Sequence, residues 1–324
     1  MSADLLAVDS LAVHFPLGSN FGGGSKKVVR AVSDVSFRIG AGETLGLVGE
    51  SGCGKSTVGK AILRLVKPTS GSIQFEGARL DRVSGNTLHE LRQRLQVVFQ
   101  DPYSSLNPHF KAFDIVAEPL RNYKIAKGSE LQDRVVDLFK RVGLQPNLMT
   151  RLPHEFSGGQ RQRLGIARAI ALRPRLIICD EPVSALDVSI QAQVLNLLMD
   201  LQDQDGISYL FIAHDLAVVE CISDRVAVMY LGRIMEIADK RSLFVNPRHP
   251  YTKALLEAVP VPDPAVRRER VILKGDVPSP IDPPGGCPFH TRCPYVFERC
   301  KLEVPQLRST VDGGATACHL VESS

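Results

Sequence analysis

The segment GESGCGKST, residues 49–57, constrains the fold of this chain more than any other part of the sequence. It matches the pattern G-x-x-x-x-G-K-[ST], in which glycines allow successive backbone N–H groups to point towards a bound phosphate. The apolar run TLGLV precedes it, and VGKAILRLV, with apolar residues at helical spacing, follows it. A strand, a glycine-rich turn and a helix in this order predict a phosphate-binding loop at a helix N-terminus.

The side chains of this loop predict how a nucleoside triphosphate is held. Lys55 is placed to reach the β and γ phosphates, the Ser56 hydroxyl to ligate Mg²⁺, and Thr57 to contact the α phosphate. Cys53 occupies a variable position of the motif, so we interpret it as a tolerated small residue and not as a redox switch. The predicted phosphate contacts are Gly49, Ser51, Gly52, Cys53, Gly54, Lys55, Ser56 and Thr57.

The segment RLIICDEP supplies the second half of a hydrolytic site. Asp180 closes an apolar strand pattern and Glu181 follows it directly. A carboxylate at the end of the strand beside a phosphate loop can hold Mg²⁺ through water, and its neighbour can orient or deprotonate the attacking water. Taken alone, an apolar run followed by two carboxylates is often only a strand end. Together with the phosphate loop it predicts an ATP hydrolysis site.

Strand and helix patterns alternate along most of the chain, which favours a doubly wound parallel sheet. The segment SNFGGGSKK predicts a glycine-rich loop between two early strands, and helical spacing prevails over about residues 101–173, which we interpret as a helical insertion. After residue 248 the chain becomes proline-rich, as in VPDPAVRRER, and is predicted to be extended. The predicted domains are residues 1–248 and a C-terminal extension, residues 249–324.

Charge and hydropathy exclude two classes of protein. A net charge of +4 over 324 residues is too small for a nucleic-acid-binding face, so no nucleic acid partner is expected. No apolar run approaches the roughly 20 residues of a membrane-spanning helix, so any membrane role must be indirect. The N-terminal residues lack a basic segment followed by an apolar block, so we expect no signal peptide and a cytoplasmic location.

Four further motifs carry a resemblance to a known family. FSGGQRQRLGIARAI, residues 156–170, resembles the signature of ATP-binding cassette (ABC) proteins, with Phe156 as a mild exchange for leucine. Gln100 in VVFQDP is similar to the Q-loop of that family, SALD at residues 184–187 to its D-loop, and His214 in IAHD to its switch histidine. The resemblance implies a P-loop NTPase fold with a RecA-like, mostly parallel sheet, an antiparallel β subdomain and a helical subdomain.

The resemblance also implies roles for individual residues. Gln100 joins Ser56 and Asp180 as a Mg²⁺ ligand, and His214 acts on the γ phosphate and the attacking water with Glu181. Phe15 falls where the family stacks an aromatic ring on adenine; the alternative is a strand core residue. Five residues complete the predicted nucleotide site: Ser157, Gly158, Gly159, Gln160 and Asp187. The resemblance implies that the first three face the γ phosphate held by a partner subunit.

Segments outside these motifs are similar to the ATPase subunits of bacterial dipeptide and oligopeptide importers, closest to the dipeptide-permease subunit. They include FQDPYSSLNP, NPRHPYTKALLEAVP and GDVPSPIDPPGGCPFHTRC. The resemblance implies a heterodimer with a sister ABC ATPase, two membrane permease subunits and an extracytoplasmic peptide-binding protein, at the cytoplasmic face of the inner membrane. Two alternatives stay open: the same machinery importing nickel, glutathione or a sugar, and a soluble regulatory ABC ATPase.

Four cysteines in the tail, Cys287, Cys293, Cys300 and Cys318, have the spacing C-x5-C-x6-C-x17-C. Structural zinc sites usually contain shorter cysteine pairs, and stable disulfides are disfavoured in a reducing compartment. Wider spacing suits a [4Fe–4S] cluster, and proline after two of the cysteines is typical of ferredoxin ligation. The resemblance favours the iron–sulfur cluster; zinc and unligated thiols remain alternatives. The histidines considered as substitute ligands are His290 and His319.

We expect a structural role for such a cluster, because nothing nearby in the sequence indicates an electron acceptor. A staple for a small, proline-rich segment is the simplest function of four cysteines. Cys179 lies within the apolar strand pattern before Asp180, and Cys221 lies within a helical pattern. Both of these cysteines are predicted to be small core residues.

Overall fold

The structure, a computed structural model, describes residues 4–17, 27–258, 275–310 and 313–321. The predicted glycine-rich loop SNFGGGSKK lies almost wholly outside these residues, and VPDPAVRRER lies entirely outside them. The chain divides into two compact units, each described below by itself. The first comprises Gly40–Glu43 and Arg82–Ile212, and the second contains the rest of the described residues.

Strands and helices are interspersed along the described part of the chain. The strands are β1 (Leu6–Leu17), β2 (Lys27–Ile39), β3 (Thr44–Val48), β4 (Ser70–Phe75), β5 (Ala78–Arg79), β6 (Leu95–Val98), β7 (Leu176–Asp180), β8 (Ser208–Ala213), β9 (Arg225–Tyr230), β10 (Arg233–Asp239), β11 (Arg308–Ser309) and β12 (Ala315–Thr316). The helices are α1 (Lys55–Ile62), α2 (Gly85–Arg94), α3 (Pro102–Ser105), α4 (Ala112–Asn122), α5 (Gly128–Arg141), α6 (Gly158–Ile170), α7 (Val188–Asp205), α8 (Leu216–Ile222), α9 (Lys240–Val245), α10 (Pro250–Glu257) and α11 (Glu298–Leu302). Two short 3₁₀ helices, Pro146–Thr150 and Pro153–Glu155, precede α6. Among the described helices, none combines the length and the apolar character that crossing a membrane requires.

The first unit contains three parallel strands in the order β8-β7-β6. Leu176 of β7 pairs with Leu95 on one side and with Ser208 on the other. Every residue of β7 and β8 is buried, which explains why both strands have apolar runs and no alternation in the sequence. Helices α4, α5 and α6 form the predicted helical segment, and each buries the apolar face that its spacing predicts.

The second unit contains the predicted antiparallel β subdomain and a separate group of strands around β3. The antiparallel sheet has the order β2-β1-β4-β5, and β1 alone pairs with both β2 and β4. β3 pairs in parallel with β9, and β10 turns back antiparallel to β9. Together with the first unit, this arrangement confirms the prediction of an α/β P-loop NTPase fold with an antiparallel subdomain.

The described part of the C-terminal extension attaches to β10. Thr316 of β12 pairs with Glu236, and β11 pairs with β12. The carboxylate of Glu236 is buried and accepts the backbone N–H groups of Arg248 (2.8 Å) and His249 (2.9 Å) at the start of α10. A buried carboxylate satisfied by helix N-terminal donors ties the extension to the strand. The boundary after residue 248 stays a prediction.

The two cysteines predicted to be core residues differ in the structure. Cys179 is fully buried in β7, where burial raises the pKa of its thiol, and that prediction is confirmed. Cys221 is exposed, so the core prediction was wrong. The reason is the helical period of α8, which buries Val218, Val219 and Ile222 and turns position 221 towards solvent.

His249 gives a prediction about stability and pH. Burial lowers the pKa of its imidazole to about 3, while Nδ1 accepts the backbone N–H of Tyr251 at 3.0 Å. Below pH 6.5 the unfolded chain binds a proton that the folded chain cannot, so stability falls from pH 6.5 down to about 3, by at most about 1.4 kcal/mol per pH unit. His249→Asn keeps an acceptor for Tyr251 N–H and removes the titration.

We therefore expect the loss of stability between pH 7 and pH 5, measured by urea unfolding, to be smaller in His249→Asn than in the wild type. At pH 7 His249→Asn should be less stable, because the smaller side chain loses packing against Phe289, so the comparison uses the change in stability of each protein with pH. An equal loss in both proteins would show that another group controls this pH range.

Candidate functional site

The phosphate loop connects the buried strand β3 to α1 and depends on glycine at several positions. Gly49, Gly52 and Gly54 have φ values of +152°, +78° and +106°, a region that other residues rarely adopt. A Cβ on Gly54 would lie 2.1 Å from the carbonyl oxygen of Ala31, and one on Gly49 would lie 2.1 Å from that of Met229. The loop conformation is therefore available to this backbone only with glycine at these places.

Lys55 lies over the loop with its side chain buried. Its Nζ donates hydrogen bonds to the carbonyl oxygens of Gly49 (2.8 Å) and Glu50 (3.1 Å), and it lies 3.8 Å from Cys53 Sγ. Two donors thus fix the ammonium group, and the third faces only a weak sulfur acceptor that a phosphate oxygen can replace. Burial raises the pKa of the Cys53 thiol, although the ammonium opposes this, which agrees with its interpretation as a small packed residue.

Glu50 connects the loop to the C-terminal extension, a contact that the sequence analysis missed. Its backbone N–H donates to Tyr251 Oη at 3.0 Å, and its carboxylate accepts two hydrogen bonds from Arg292, at 2.7 and 3.0 Å. The one signal in the sequence is the acidic residue itself, because a carboxylate close to a bound phosphate repels it unless a cation is near. No local pattern identifies Arg292 as that cation.

Asp180 and Glu181 stand at the end of β7, as predicted. Glu181 has a φ of +47°, and its N–H donates to the carbonyl oxygen of Ile212 at 2.9 Å. Gln100 Nε2 donates to Glu181 Oε2 at 3.0 Å, so the structure brings the predicted Q-loop glutamine onto the predicted base. The Ser184 hydroxyl and the Ser184 N–H both donate hydrogen bonds to the Glu181 carbonyl oxygen. These two bonds fix the turn after β7, in which Glu181 has a positive φ.

The signature segment forms the N-terminus of α6. Ser157 is the N-cap: its Oγ accepts the Gln160 N–H at 3.3 Å, and Gln160 Oε1 accepts the Ser157 N–H at 3.0 Å. This capping box occupies a lone pair of the hydroxyl and leaves its hydrogen free to donate. Phe156 is buried, as expected for an apolar exchange, and a Cβ on Gly159 would meet Ile190 Cγ2 of α7 at 2.4 Å.

The remaining predicted nucleotide-site residues lie at the ends of helices and strands. Asp187 caps α7, where its carboxylate accepts the Ser189 hydroxyl (2.7 Å) and the Ile190 N–H (3.0 Å); these bonds, the hydroxyl first, lower its pKa. His214 is exposed and follows β8 directly. Phe15 on β1 is 38% exposed, which argues against the alternative of a strand core residue.

The four tail cysteines are all free thiols, and three of them, Cys287, Cys300 and Cys318, are buried. Burial raises the pKa of Cys287 to about 12, with smaller contributions from the other three thiols, so all four lie within electrostatic reach of one another. At three of these cysteines a backbone hydrogen bond lowers the pKa of the thiol and so opposes the effect of burial. The donors are Phe289 for Cys287, Tyr295 for Cys293 and Leu320 for Cys318.

The described side chains around these thiols do not form a preformed metal-ion site. In the part of the chain that the structure describes, no group of three or more His, Cys, Asp or Glu residues could hold a metal ion. One ring nitrogen of each candidate histidine has another contact, His290 Nδ1 with Cys287 O (2.9 Å) and His319 Nε2 with Glu303 O (3.1 Å).

Comparisons with known families agree with both parts of the chain. A family model described as "ABC transporter" matches residues 32–184, and one described as "Oligopeptide/dipeptide transporter, C-terminal region" matches residues 235–300. The chain is 56% identical to the "Probable peptide ABC transporter ATP-binding protein y4tS" of Sinorhizobium fredii, over 99% of this chain and 91% of that protein. It is 51% identical to the "Oligopeptide transport ATP-binding protein AppF" of Bacillus subtilis, over 98% of this chain and 97% of that protein.

A solved structure shows a similar fold. It is the dimeric structure of a post-hydrolysis state of the ATP-binding cassette MJ0796 bound to ADP and Pi, with a TM-score of 0.65 and 27% identity. The match covers 73% of this chain and 99% of that chain. The shared part is therefore a complete cassette, and this chain has additional residues beyond it.

The close approach of α6 and α7 at the signature segment can be tested with two glycines of the same helix. Gly159→Ala should cost about 1–3 kcal/mol of unfolding free energy, because its Cβ would lie 2.4 Å from Ile190 Cγ2. Gly165→Ala is the matched control: its Cβ would meet nothing within 4 Å, so it should be neutral or stabilise the helix by up to about 1 kcal/mol. The unfolding free energies of both variants are measured by denaturant unfolding. Equal values would show that α6 and α7 do not pack as closely at Gly159 as the structure indicates.

Proposed function

Because the chain belongs to the ABC transporter family and carries the oligopeptide/dipeptide transporter C-terminal region, we propose that it hydrolyses ATP to power import of di- or oligopeptides through a bacterial permease. The observation that carries this proposal is the extent of the similarity. Proteins named for peptide transport match 98–99% of the chain, including the tail that a bare cassette lacks.

The motif residues, with the contacts found within each unit, support an assignment of each group in the reaction. Lys55 and the N-terminal amides of α1 would bind the triphosphate, and Ser56, Asp180 and Gln100 would hold Mg²⁺. Glu181 acts as the base that activates water, and the Gln100 contact to its carboxylate lets the Q-loop report on the state of the site. His214 then assists Glu181 at the γ phosphate. A purine ring stacks on the exposed Phe15.

The signature segment supports a dimer as the working state. The Ser157 hydroxyl hydrogen stands at the N-terminus of α6, where a phosphate of a partner subunit would be favourable. A related cassette is dimeric in its solved structure. We therefore infer a heterodimer with a sister ABC ATPase, bound to two permease subunits at the cytoplasmic face of the inner membrane. An extracytoplasmic peptide-binding protein delivers the solute to that complex.

We also infer that Cys287, Cys293, Cys300 and Cys318 hold a [4Fe–4S] cluster, with zinc as the alternative. The support is the collection of four thiols that influence one another electrostatically and receive backbone hydrogen bonds. A cluster would keep these buried groups as thiolates and staple a segment that has little regular structure among its described residues. Its role is structural.

Two other functions remain as outcomes of experiment. The same machinery could import nickel, glutathione or a sugar, because the transported solute does not contact this subunit. A soluble regulatory ATPase would leave the permease subunits behind when membranes are purified, whereas the proposed subunit should co-purify with them. The transported solute can be identified by uptake measurements in cells that lack the chromosomal copy of this gene and express it from a plasmid. Uptake of a labelled dipeptide is compared with uptake of nickel, glutathione and a sugar.

Glu181→Gln tests the proposed hydrolytic role. It should reduce ATP hydrolysis by the assembled transporter by at least about 100-fold, because the amide cannot accept a proton from water. Nucleotide binding should be retained. Glu130→Gln is the matched control, since Glu130 is exposed and pairs with Arg134 one helical turn away. Unchanged hydrolysis in Glu181→Gln would exclude this residue as the base, and dipeptide uptake should fall with hydrolysis.

Cys287→Ser tests the cluster. Anaerobically purified wild-type protein should show a visible absorption band at about 400 nm that bleaches on reduction. It should also contain about four irons and about four acid-labile sulfides per chain. Cys287→Ser should lose the band, whereas Cys221→Ser, at an exposed cysteine of α8, should retain it. Colourless wild-type protein with stoichiometric zinc would support the alternative.

A further inference from the structure

We propose that Arg292 is a positioning residue for the phosphate loop: it holds and neutralises Glu50, and it thereby makes the nucleotide affinity of the loop depend on residues 287–300, the cysteine segment. The proposal rests on the proposed binding of ATP. It assigns a role to a contact between residues separated by 242 positions, one in the loop and one between the first two tail cysteines.

The contact has the geometry of a strong ion pair. Arg292 Nη1 donates to Glu50 Oε2 at 2.7 Å, and Nη2 donates to Glu50 Oε1 at 3.0 Å. Two parallel hydrogen bonds between a guanidinium and a carboxylate fix orientation as well as distance. The Arg292 side chain is only 7% exposed, and the Glu50 side chain is 27% exposed, so solvent screens this pair less than a surface pair.

The surroundings of Arg292 hold the guanidinium in place. It lies 5.9 Å from the ring centroid of Tyr230, and Nη1 lies 3.5 Å from the Tyr230 hydroxyl. The hydrogen bonds to Glu50 are the main reason that the pKa of Arg292 is raised. Tyr230 in turn packs edge-on against Tyr251 and Phe289, with ring centroids 4.7 and 5.3 Å away. The arginine is therefore part of a packed cluster.

Three groups of Glu50, namely its N–H, its carboxylate and its carbonyl oxygen, form hydrogen bonds, and the first two bind residues beyond the loop. Its N–H donates to Tyr251, its carboxylate binds Arg292, and its carbonyl oxygen accepts a hydrogen bond from Lys55 Nζ. Lys55 is the cation that the loop offers to phosphate. A shift of Glu50 would consequently move an acceptor that positions Lys55.

The charge of Glu50 explains why the loop needs Arg292. Phosphate-binding loops attract anions through backbone N–H groups and the helix N-terminus, and a carboxylate among them repels the same anions. The Arg292 fork cancels that charge within hydrogen-bonding distance. Without Arg292, Glu50 would stand unpaired beside the phosphates, or its side chain would turn away and release the peptide that Lys55 contacts.

The cysteine segment determines where Arg292 lies. The Arg292 N–H donates to the Phe289 carbonyl oxygen at 3.0 Å, and the His290 N–H donates to the Cys287 carbonyl oxygen at 3.0 Å. Cys293 follows Arg292 immediately. The arginine thus sits on a tight turn between two of the four thiols, so loss of structure at the cysteines would displace it.

The test measures the affinity of the full-length chain for the fluorescent analogue mant-ATP with Mg²⁺. Arg292→Gln should raise Kd about tenfold, and the double variant Arg292→Gln with Glu50→Gln should return to within about threefold of the wild type, because no unpaired charge remains. Arg292→Lys, which keeps the charge without the fork, should be intermediate. Arg299→Gln is the matched control, since Arg299 forms an exposed pair with Glu303 in the same segment, and it should leave Kd unchanged.

A purely structural role for Arg292 gives different results. If repulsion by Glu50 causes the defect, the ratio of the Arg292→Gln Kd to the wild-type Kd should become smaller at high salt, because salt screens the charge. If the defect reflects unfolding, this ratio should not fall. If Arg292→Gln does not fold, Arg292→Lys provides the comparison, and Glu50→Gln should relieve its defect. Wild-type affinity in Arg292→Gln, or a defect that Glu50→Gln leaves in place, overturns the proposal. Failure of the wild type itself to bind mant-ATP would instead defeat the proposed function.

Discussion

The path of the backbone through the phosphate loop is the constraint on which the nucleotide site of the second unit depends. At Gly49 and Gly54 other main-chain carbonyls come so close that a Cβ would lie 2.1 Å from them, and both residues have positive φ. This path directs carbonyl oxygens of the loop towards Lys55, whose buried ammonium is held by two of them. The cation is thus oriented before any phosphate arrives, and little of the binding energy is lost in ordering it.

The tail is integrated with the strand group of the second unit. Its strand β12 pairs with β10, the buried Glu236 carboxylate of β10 accepts two N–H groups at the start of α10, and Tyr251 of α10 reaches the loop. Each of these contacts satisfies a buried polar group that would otherwise be costly. An appended domain joined only by a flexible linker would need none of them.

Much of this fold could be predicted from the sequence, because buried parallel strands and amphipathic helices leave local signals. The strands before Asp180 and His214 were recognisable as apolar runs, and the helices of residues 101–173 by their spacing. Helix α2 and strand β10 were not identified, since GNTLHELRQR buries only Leu91 and RIMEIAD places a buried glutamate within its apolar run. Cys221 was assigned to the core because a short helix pattern does not determine which face is buried.

The contact between Glu50 and Arg292 shows why the site itself was only partly predictable. The motif GESGCGKST predicts which residues contact phosphate, but it gives no information about residues outside the loop that bind its side chains. A glutamate there is unfavourable for binding an anion unless a cation meets it, so its presence implies a partner without locating it. Locating Arg292 requires the packing of Tyr230, Tyr251 and Phe289, which lie far apart in the sequence. In this chain the cation that meets the loop carboxylate lies 242 positions away, in the cysteine segment, so no local motif can identify it.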